Sequence, residues 1–483
     1  MPLGSSFWLD EAFTAFLVRH GYSHPSLADV PQAVASIYYY LPAASVAVLG
    51  FSEAAFRLPS VLAMAAALFL TGRLAARLVH PAAAWLAVFA SMALSGINYQ
   101  AADARPYALG TCLAAASFLF LVRWMDSARW LHAALFVLFA SLLWRVHLIY
   151  WPMYLVLACY GVLRIARKET AVGWRQGGAV AALLGLLLLP VLATALRILP
   201  QAAAHSFGLL PQSNSLLNAL KPGLMASCLI GAWLIHRWPF GSSSGAAGSA
   251  KPAPRQLSGS AMVLIAGWWL AQPAGLFAYS WLSGNNVFHY RYLSVALPGA
   301  VLAAVLAASR FLPAHRWRHA AGLMALGVLL TQGQWQTAWP RHDPSDWRGA
   351  ARKVNQLAAS PATPVLCPSP FLEARPPAWT PDYPLPGFFY AHLDPYPIRG
   401  QPIRLPFELS PEATGYITEL LRQRLTSQGR FVLYGWNQNV LPWREWFAAR
   451  PELAGWRPTT FDSFGDVWVV LFERAPPPGS AIR

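Results

Sequence analysis

Long, nearly uninterrupted apolar runs fill the first two thirds of the chain and limit the folds it can adopt. A helix that crosses the hydrocarbon core of a bilayer, roughly 30 Å thick, needs about 20 apolar residues. Ten runs approach this length, at 57–78, 81–99, 106–122, 130–146, 147–163, 178–196, 216–236, 261–283, 292–309 and 318–335. Alanine and leucine dominate these runs, which favours helices over strands. The sequence therefore predicts an α-helical polytopic membrane protein with about ten transmembrane helices.

The number and distribution of charged residues argue against a soluble globular protein and against a nucleic-acid-binding protein. Only 12% of the 483 residues are charged, about half the share in a typical soluble domain. The formal net charge of +16 could suggest nucleic acid, but the basic residues stand singly between apolar runs and form no dense stripe. We therefore expect no nucleic-acid partner and a bilayer around the helices.

The loop charges predict which side of the membrane each loop occupies. Within residues 1–340, alternate loops collect 14 basic and two acidic residues on one side, and seven basic and five acidic residues on the other. The positive-inside rule makes the first side cytoplasmic. Residues 1–30 then lie outside, although they contain neither a spanning helix nor a signal peptide. Either the first helix inserts with its N-terminus outward, or an upstream helix is missing from this chain.

A change in composition near residue 340 predicts two domains. Residues 1–340 form the transmembrane domain, with an external loop at 1–56 and a Gly- and Ser-rich cytoplasmic linker at 237–260. Residues 341–483 carry 15 basic and 13 acidic side chains, the balance of a soluble domain. Helix signals near 345, 411–428 and 442–450 and strand signals near 365–367, 430–435 and 466–474 predict a small external α/β domain with a disordered end from 475.

Charged and aromatic residues gather on the predicted external side, at the boundaries of the apolar runs. Such residues are costly beside a bilayer and tend to be functional. The candidates are Trp8, Asp10, Glu11, Tyr38, Tyr39, Arg57, Asp103, Arg105, Tyr107, Arg145, His147, Arg291 and Tyr292. Plainer readings stay open: the first acidic pair could cap a helix, the tyrosines could form an interfacial belt, and Asp103 could simply pair with Arg105.

The order of these motifs resembles a known group of membrane enzymes. Trp-Leu-Asp-Glu-Ala-Phe, Tyr-Tyr, Arg-Leu-Pro-Ser, Asp-Ala-Arg-Pro-Tyr-Ala-Leu and a final Arg-Tyr-Leu follow one another between residues 7 and about 310. This set resembles the bacterial relatives of protein O-mannosyltransferase and of the lipid A aminoarabinose transferase, which are GT-C glycosyltransferases. The α/β domain, opening with Asp-Trp-Arg at 346–348, resembles the periplasmic tails of some such proteins.

The resemblance implies a sugar donor carried on polyprenyl phosphate and a site facing the periplasm of a bacterial inner membrane. It implies that Asp10 serves the acceptor and that Glu11 is its paired acid. Asp103 stands where relatives usually have Glu, and Arg291 and Tyr292 match a later external motif near the carrier phosphate. The chain departs from the family at Ser36-Ile37, where relatives show Pro-Pro, and lacks the usual helix before the Asp-Glu loop.

The chemistry of such a transfer fits these residue types. An acceptor hydroxyl needs a base, for which Asp10 is the candidate. The leaving phosphate needs cations, and arginine binds phosphate bidentately; the candidates are Arg57, Arg105, Arg145, Arg291 and, in support, His147. Trp8, Tyr38, Tyr39, Tyr107 and Tyr292 would line the substrate.

Three questions stay open at the level of sequence. A divalent metal, Mg²⁺ or Mn²⁺, could bind Asp10 and Asp103, although no ligand spacing indicates one. The acceptor could be a glycan, a lipid or a protein. A polytopic transporter or flippase of a glycoconjugate, or a catalytically inactive scaffold, is the alternative to an enzyme; a transporter would favour ionisable residues in mid-membrane, where this chain has almost none.

Overall fold

The computed structural model describes residues 2–30, 35–200, 209–237, 258–332 and 341–475. Most of the predicted linker at 237–260 and the predicted disordered end beyond 475 lie outside these residues. The helices are α1 (Leu9–His20), α2 (Tyr40–Leu49), α3 (Glu53–Leu78), α4 (Ala84–Met92), α5 (Ser95–Ala101), α6 (Tyr107–Ser127), α7 (Trp130–Val146), α8 (Pro152–Ala166), α9 (Trp174–Ile198), α10 (Ser213–Ala219), α11 (Pro222–Arg237), α12 (Gly259–Ser283), α13 (Leu297–Ala308), α14 (Trp317–Thr331), α15 (Trp347–Leu357), α16 (Pro411–Leu420) and α17 (Asn437–Ala448).

Each of the ten predicted spans coincides with helix, but the described residues contain fewer full-length spans. Six helical segments are long and apolar enough to cross a membrane, or up to eight if each of two bent pairs counts as one span. The bent pairs replace the predicted spans 81–99, which bends by 78° between α4 and α5, and 216–236, which bends by 43° between α10 and α11. Helix α7, with 17 residues, is short for a span, as is α14, with 15.

Two compact units divide the chain. We call residues 35–41 and 57–339 the helical unit, and residues 1–34, 42–56 and 340–483 the terminal unit. This division groups residues by packing. The domains predicted from the sequence, 1–340 and 341–483, stay a prediction.

The core of the helical unit is a continuous apolar cluster contributed by its spanning helices. Trp268 of α12 is completely buried, stacks on Phe118 of α6 with ring centroids 4.3 Å apart, and donates its indole N–H to the Val295 carbonyl at 2.8 Å. Helix α13 approaches the backbone of α12 at Gly299, where small residues permit the close contact that membrane helices favour. This packing fixes the 3₁₀ turn Tyr290–Ala296, which precedes α13.

The terminal unit contains the predicted α/β fold. Its sheet has five strands, β1 (Pro364–Pro368), β2 (Gln401–Leu405), β3 (Arg430–Trp436), β4 (Trp456–Phe464) and β5 (Val467–Arg474), in the order β2-β1-β3-β5-β4. Strand β1 pairs in parallel with β2 and β3, and β5 pairs antiparallel with β3 and β4. The sequence predicts β1, β3 and β5 but misses the two edge strands.

The N-terminal segment packs within the same unit as this sheet. The Phe7 amide donates to the Tyr396 hydroxyl at 2.8 Å, and the ring of Phe13 in α1 meets that of Phe388 edge-on at 5.2 Å. Arg19 lies 3.2 Å from the Asp394 carboxylate. These contacts, hundreds of residues apart in the chain, hold α1 against the C-terminal part.

Candidate functional site

Three of the predicted site residues form one aromatic cluster in the helical unit. Tyr107 opens α6, His147 follows α7, and Tyr292 lies in the 3₁₀ turn before α13. The ring centroids of Tyr107 lie 5.9 Å from those of both His147 and Tyr292, which are themselves 5.2 Å apart. The Arg291 guanidinium stands 5.3 Å from the centre of the Tyr292 ring. Three chain segments therefore bring aromatic and cationic groups to one place.

His147 lies between α7 and the following turn and has two cations for neighbours. Its ring is partly buried, and the positive charges of Arg105 and Arg291 act on it. Its Nδ1 accepts the Ile149 amide at 3.4 Å, so the neutral ring carries its proton on Nε2. The cluster thus combines two fixed cations with a neutral N–H donor, which suits an anion.

The tyrosine pair joins this cluster through Arg105. The Arg105 guanidinium donates to the Tyr39 hydroxyl at 3.3 Å, and the Ser60 hydroxyl reaches the Arg105 carbonyl at 3.5 Å. The hydroxyls of Tyr38 and Ser60 lie 2.9 Å apart. Both tyrosines are buried. These hydroxyls therefore connect the tyrosine segment to the start of α6, and the prediction that Tyr38 and Tyr39 line the substrate stays a prediction.

Ser36 anchors the segment that carries this pair. Its hydroxyl donates to the Val146 carbonyl at 2.7 Å and accepts the Tyr38 amide at 3.2 Å. Ser36 stands where the family resemblance leads one to expect proline, so this chain fixes the tyrosine segment by a side-chain hydrogen bond instead.

Two further predicted residues of the helical unit are charged and inaccessible. Arg57 is completely buried in α3, and Asp103 is almost completely buried just before α6. Charges at such depth persist only when they are paired or hydrogen-bonded. Arg145 is less deeply buried than these two residues. Its guanidinium donates to the Leu187 carbonyl of α9 at 3.0 Å.

Two buried glutamines near the cluster were not predicted from the sequence. Gln272 is completely buried within α12, and its amide donates to the Ile149 and Tyr292 carbonyls at 3.1 and 3.0 Å, which ties both turns of the cluster to one helix. Gln100 of α5 is almost completely buried, and among the described residues neither of its amide atoms has a hydrogen-bond partner. A polar amide inside the apolar run 261–283 is the signal that could have identified Gln272, whereas Gln100 directly follows the run 81–99.

The remaining predicted residues belong to the terminal unit. Asp10 and Glu11 lie in the first turn of α1, and Trp8 directly precedes the helix. Glu11 is completely buried and accepts the Trp8 amide at 3.4 Å, so it caps the helix as the plainer reading of the sequence allows. Asp10 is partly exposed. The prediction that Asp10 and Asp103 hold a divalent metal stays a prediction, as these residues belong to different units.

Comparison with known proteins identifies the architecture. No family model and no curated protein matches the chain. Among solved structures, apo ArnT from Cupriavidus metallidurans is similar, with a TM-score of 0.52 and 12% identity over 90% of this chain and 86% of ArnT. The ArnT structure bound to undecaprenyl phosphate gives a TM-score of 0.50 and 12% identity over 96% of each chain. The chain has a GT-C-like fold.

The GT-C-like fold confirms the fold class predicted from the motifs, a polytopic helical membrane protein with a small C-terminal sheet. At 12% identity the likeness concerns the fold and not the chemistry. The assignment of functional residues in this GT-C-like protein therefore rests on the side-chain geometry described above.

Proposed function

We propose that this protein is a glycosyltransferase that moves a sugar, a hexose or a pentose, from a polyprenyl-phosphate carrier to an acceptor hydroxyl. The cluster of Arg105, Arg291, His147, Tyr107 and Tyr292 carries this proposal, because it sets two cations and aromatic surfaces at the ends of apolar helices. That one GT-C-like neighbour binds undecaprenyl phosphate supports a carrier of this kind.

The proposed reaction forms a bond between the acceptor oxygen and the anomeric carbon of the sugar. The bond between that carbon and the carrier phosphate oxygen breaks, and the phosphate keeps the electron pair. The proton of the acceptor hydroxyl passes to a base. Positive charge develops on the sugar and negative charge on the phosphate as the carbon–oxygen bond lengthens. The enzyme accelerates the step by stabilising these charges where they develop.

Arg105 and Arg291 serve the leaving phosphate in this proposal. A guanidinium offers parallel donors to phosphate oxygens, and the neutral His147 adds its Nε2–H. Tyr107 and Tyr292 present ring faces, on which a sugar or an isoprenyl chain can pack. Arg57, which is completely buried, would add positive charge near the phosphate. Arg145 is the least favoured of the four arginines as a phosphate ligand, because its guanidinium already donates to a carbonyl of α9.

Asp10 is the proposed general base. It is the more exposed member of the acidic pair, and Glu11, which is committed to the Trp8 amide, acts as its positioning partner. Trp8 would line the acceptor. The site would face the periplasm of a bacterial inner membrane, as the loop charges of the sequence predict. The proposed mechanism assigns no step to a divalent metal, and the experiment below tests whether Mg²⁺ or Mn²⁺ is needed.

Purified full-length protein in lipid vesicles, supplied with undecaprenyl-phosphate-linked sugar and membrane acceptors, tests the proposal. We expect the release of undecaprenyl phosphate to fall at least about a hundredfold in Arg105→Gln, while the exposed Arg175→Gln control keeps the wild-type rate. Movement of intact sugar-lipid across the vesicle without cleavage would instead show a flippase. The absence of both cleavage and movement would show a scaffold. Adding EDTA and then Mg²⁺ or Mn²⁺ shows whether a metal is needed.

A further inference from the structure

A second polar site lies at the opposite end of the same helices. A cavity of about 740 Å³ in the helical unit is lined by Arg73, Arg77, Arg123, Asp126, Arg164 and Glu169, among others. Arg73 lies 16 residues beyond Arg57 on α3, which places it about 24 Å further along the helix at 1.5 Å per residue. Likewise α6 begins at Tyr107 and reaches Arg123 and Asp126 near its end. The cavity is therefore separate from the aromatic cluster.

The acidic residues of the cavity are already engaged. The two Asp126 carboxylate oxygens pair with Arg77 at 2.5 Å and with Arg164 at 2.8 Å. The Glu169 carboxylate accepts the Ser260 hydroxyl, and the Glu169 carbonyl accepts Arg164 Nε at 2.9 Å. This network ties α3, α6, α8 and the start of α12 together. Two arginines thus neutralise Asp126, whereas a hydroxyl holds the Glu169 carboxylate, which keeps its charge.

Two arginines of the lining are left without such a partner. Among the described residues, neither Arg73 nor Arg123 forms an ion pair with a carboxylate; the Arg123 guanidinium stands 5.6 Å from the Phe120 ring instead. Four guanidinium groups and two carboxylates line the cavity, so it carries an excess of positive charge. Like charges in a partly enclosed space repel one another, and an anion placed between them relieves the repulsion.

We infer that this cavity binds the phosphate group of an anionic membrane lipid. Arg73 and Arg123 supply the donors, since the guanidinium fork fits phosphate oxygens. Leu78, Leu119 and Val122 line the same cavity and give an acyl or isoprenyl chain an apolar wall. A lipid fits a cavity with both cationic and apolar lining better than free phosphate does, because only the lipid has a chain that can contact the apolar wall. The inference does not depend on glycosyl transfer.

A thermal-shift titration of the full-length protein in neutral detergent tests the site. Dioctanoyl phosphatidic acid, dioctanoyl phosphatidylcholine and inorganic phosphate are the probes. The test variant is Arg73→Gln/Arg123→Gln. The matched control, Arg175→Gln/Arg310→Gln, removes two exposed charges from the same predicted side of the membrane. Arg123→Gln alone serves if the double variant does not fold.

We expect phosphatidic acid to raise the Tm of the wild type and of the control double variant at similar concentrations. The cavity variant lacks two arginines and should need about a hundredfold more lipid, since each lost charge-assisted hydrogen bond weakens binding about tenfold. Equal stabilisation by inorganic phosphate, lost in the cavity variant, would keep the anion site but overturn the lipid as its ligand. Equal affinity of the cavity and control variants for phosphatidic acid would overturn the site.

Discussion

The hydroxyl of Tyr396 donates a 2.8 Å hydrogen bond to the carboxylate of Glu53, while it accepts the amide of Phe7 at the same distance. Arg348 adds an ion pair to the same carboxylate at 3.3 Å. One side chain of the C-terminal part thus holds the segment just before α1 and the first residue of α3. We interpret this part of the chain as the support of the Asp10–Glu11 turn.

Tyr396→Phe tests this support. It leaves the Phe7 amide without its acceptor and Glu53 without one donor, which should cost about 1–3 kcal/mol of stability. We expect trypsin to cleave after Arg19 several times faster than in the wild type. Tyr416→Phe, a half-buried tyrosine elsewhere in the terminal unit, is the control. Unchanged cleavage in Tyr396→Phe would mean that other contacts hold α1.

The pH dependence of stability should reveal His392. This ring is completely buried, 4.6 Å from the Trp347 ring, and burial lowers its pKa to about 3 from 6.5. Below pH 6.5 the unfolded chain takes up a proton that the folded chain refuses, so stability falls with pH. The loss is about 1.4 kcal/mol per pH unit until the folded pKa is approached.

His392→Phe should therefore flatten the decline in Tm of the terminal unit between pH 6.5 and pH 4. The exposed His319→Gln should leave the decline as it is in the wild type. If His392→Phe declines as steeply as the wild type, the histidine takes up a proton in the folded state without penalty.

The contact between α12 and α13 should tolerate no larger residue at Gly299. A Cβ atom there would lie 2.5 Å from the Trp269 nitrogen and 2.6 Å from the Trp268 carbonyl carbon, and backbone cannot move aside as a side chain can. Gly299→Ala should lower stability by about 1–3 kcal/mol. Gly322→Ala, where nothing lies within 4 Å, should be neutral or stabilising. Thermal unfolding in detergent distinguishes them, and equal Tm values would contradict the packing described.

Variants of Arg105 should show whether the proposed donor site needs only the positive charge or also the geometry of the guanidinium. Lysine keeps the charge but loses the planar fork that donates to Tyr39. We expect Arg105→Lys to transfer sugar at least about tenfold more slowly, and Arg105→Gln more slowly still. Steady-state kinetics with varied carrier concentration measure both. A lysine variant as active as the wild type would show that only the charge matters.

Among the described residues, each helix that is long and apolar enough to cross a membrane coincides with a predicted apolar run, because such a helix needs about 20 consecutive apolar residues. The runs could not predict the bend between α4 and α5, since Ala93 and Leu94 interrupt the helix without interrupting the hydrophobicity. Strand β4 was missed because it is an edge strand with mostly exposed residues, so it lacks the apolar run that marked β3 and β5.

The candidate site was only partly accessible to the sequence. The motifs predicted Tyr107, His147 and Tyr292 as site residues, and the fold brings them together. The contacts of Tyr396 with Phe7 and Glu53 join residues more than 300 positions apart, and no periodicity encodes such pairs. Gln272 went unnoticed because a single amide barely changes the character of an apolar run.

Sugar transfer by Asp10→Asn is the most direct measurement of the central claim. Wild-type protein, Asp10→Asn and the exposed control Asp462→Asn are compared in vesicles that contain undecaprenyl-phosphate-linked sugar and membrane acceptors. We predict wild-type transfer in the control and a loss of about a hundredfold or more in Asp10→Asn, with carrier binding retained. Transfer at the wild-type rate by a folded Asp10→Asn would contradict the assignment of the base, and a wild-type protein that consumes no lipid-linked sugar would contradict the enzyme itself.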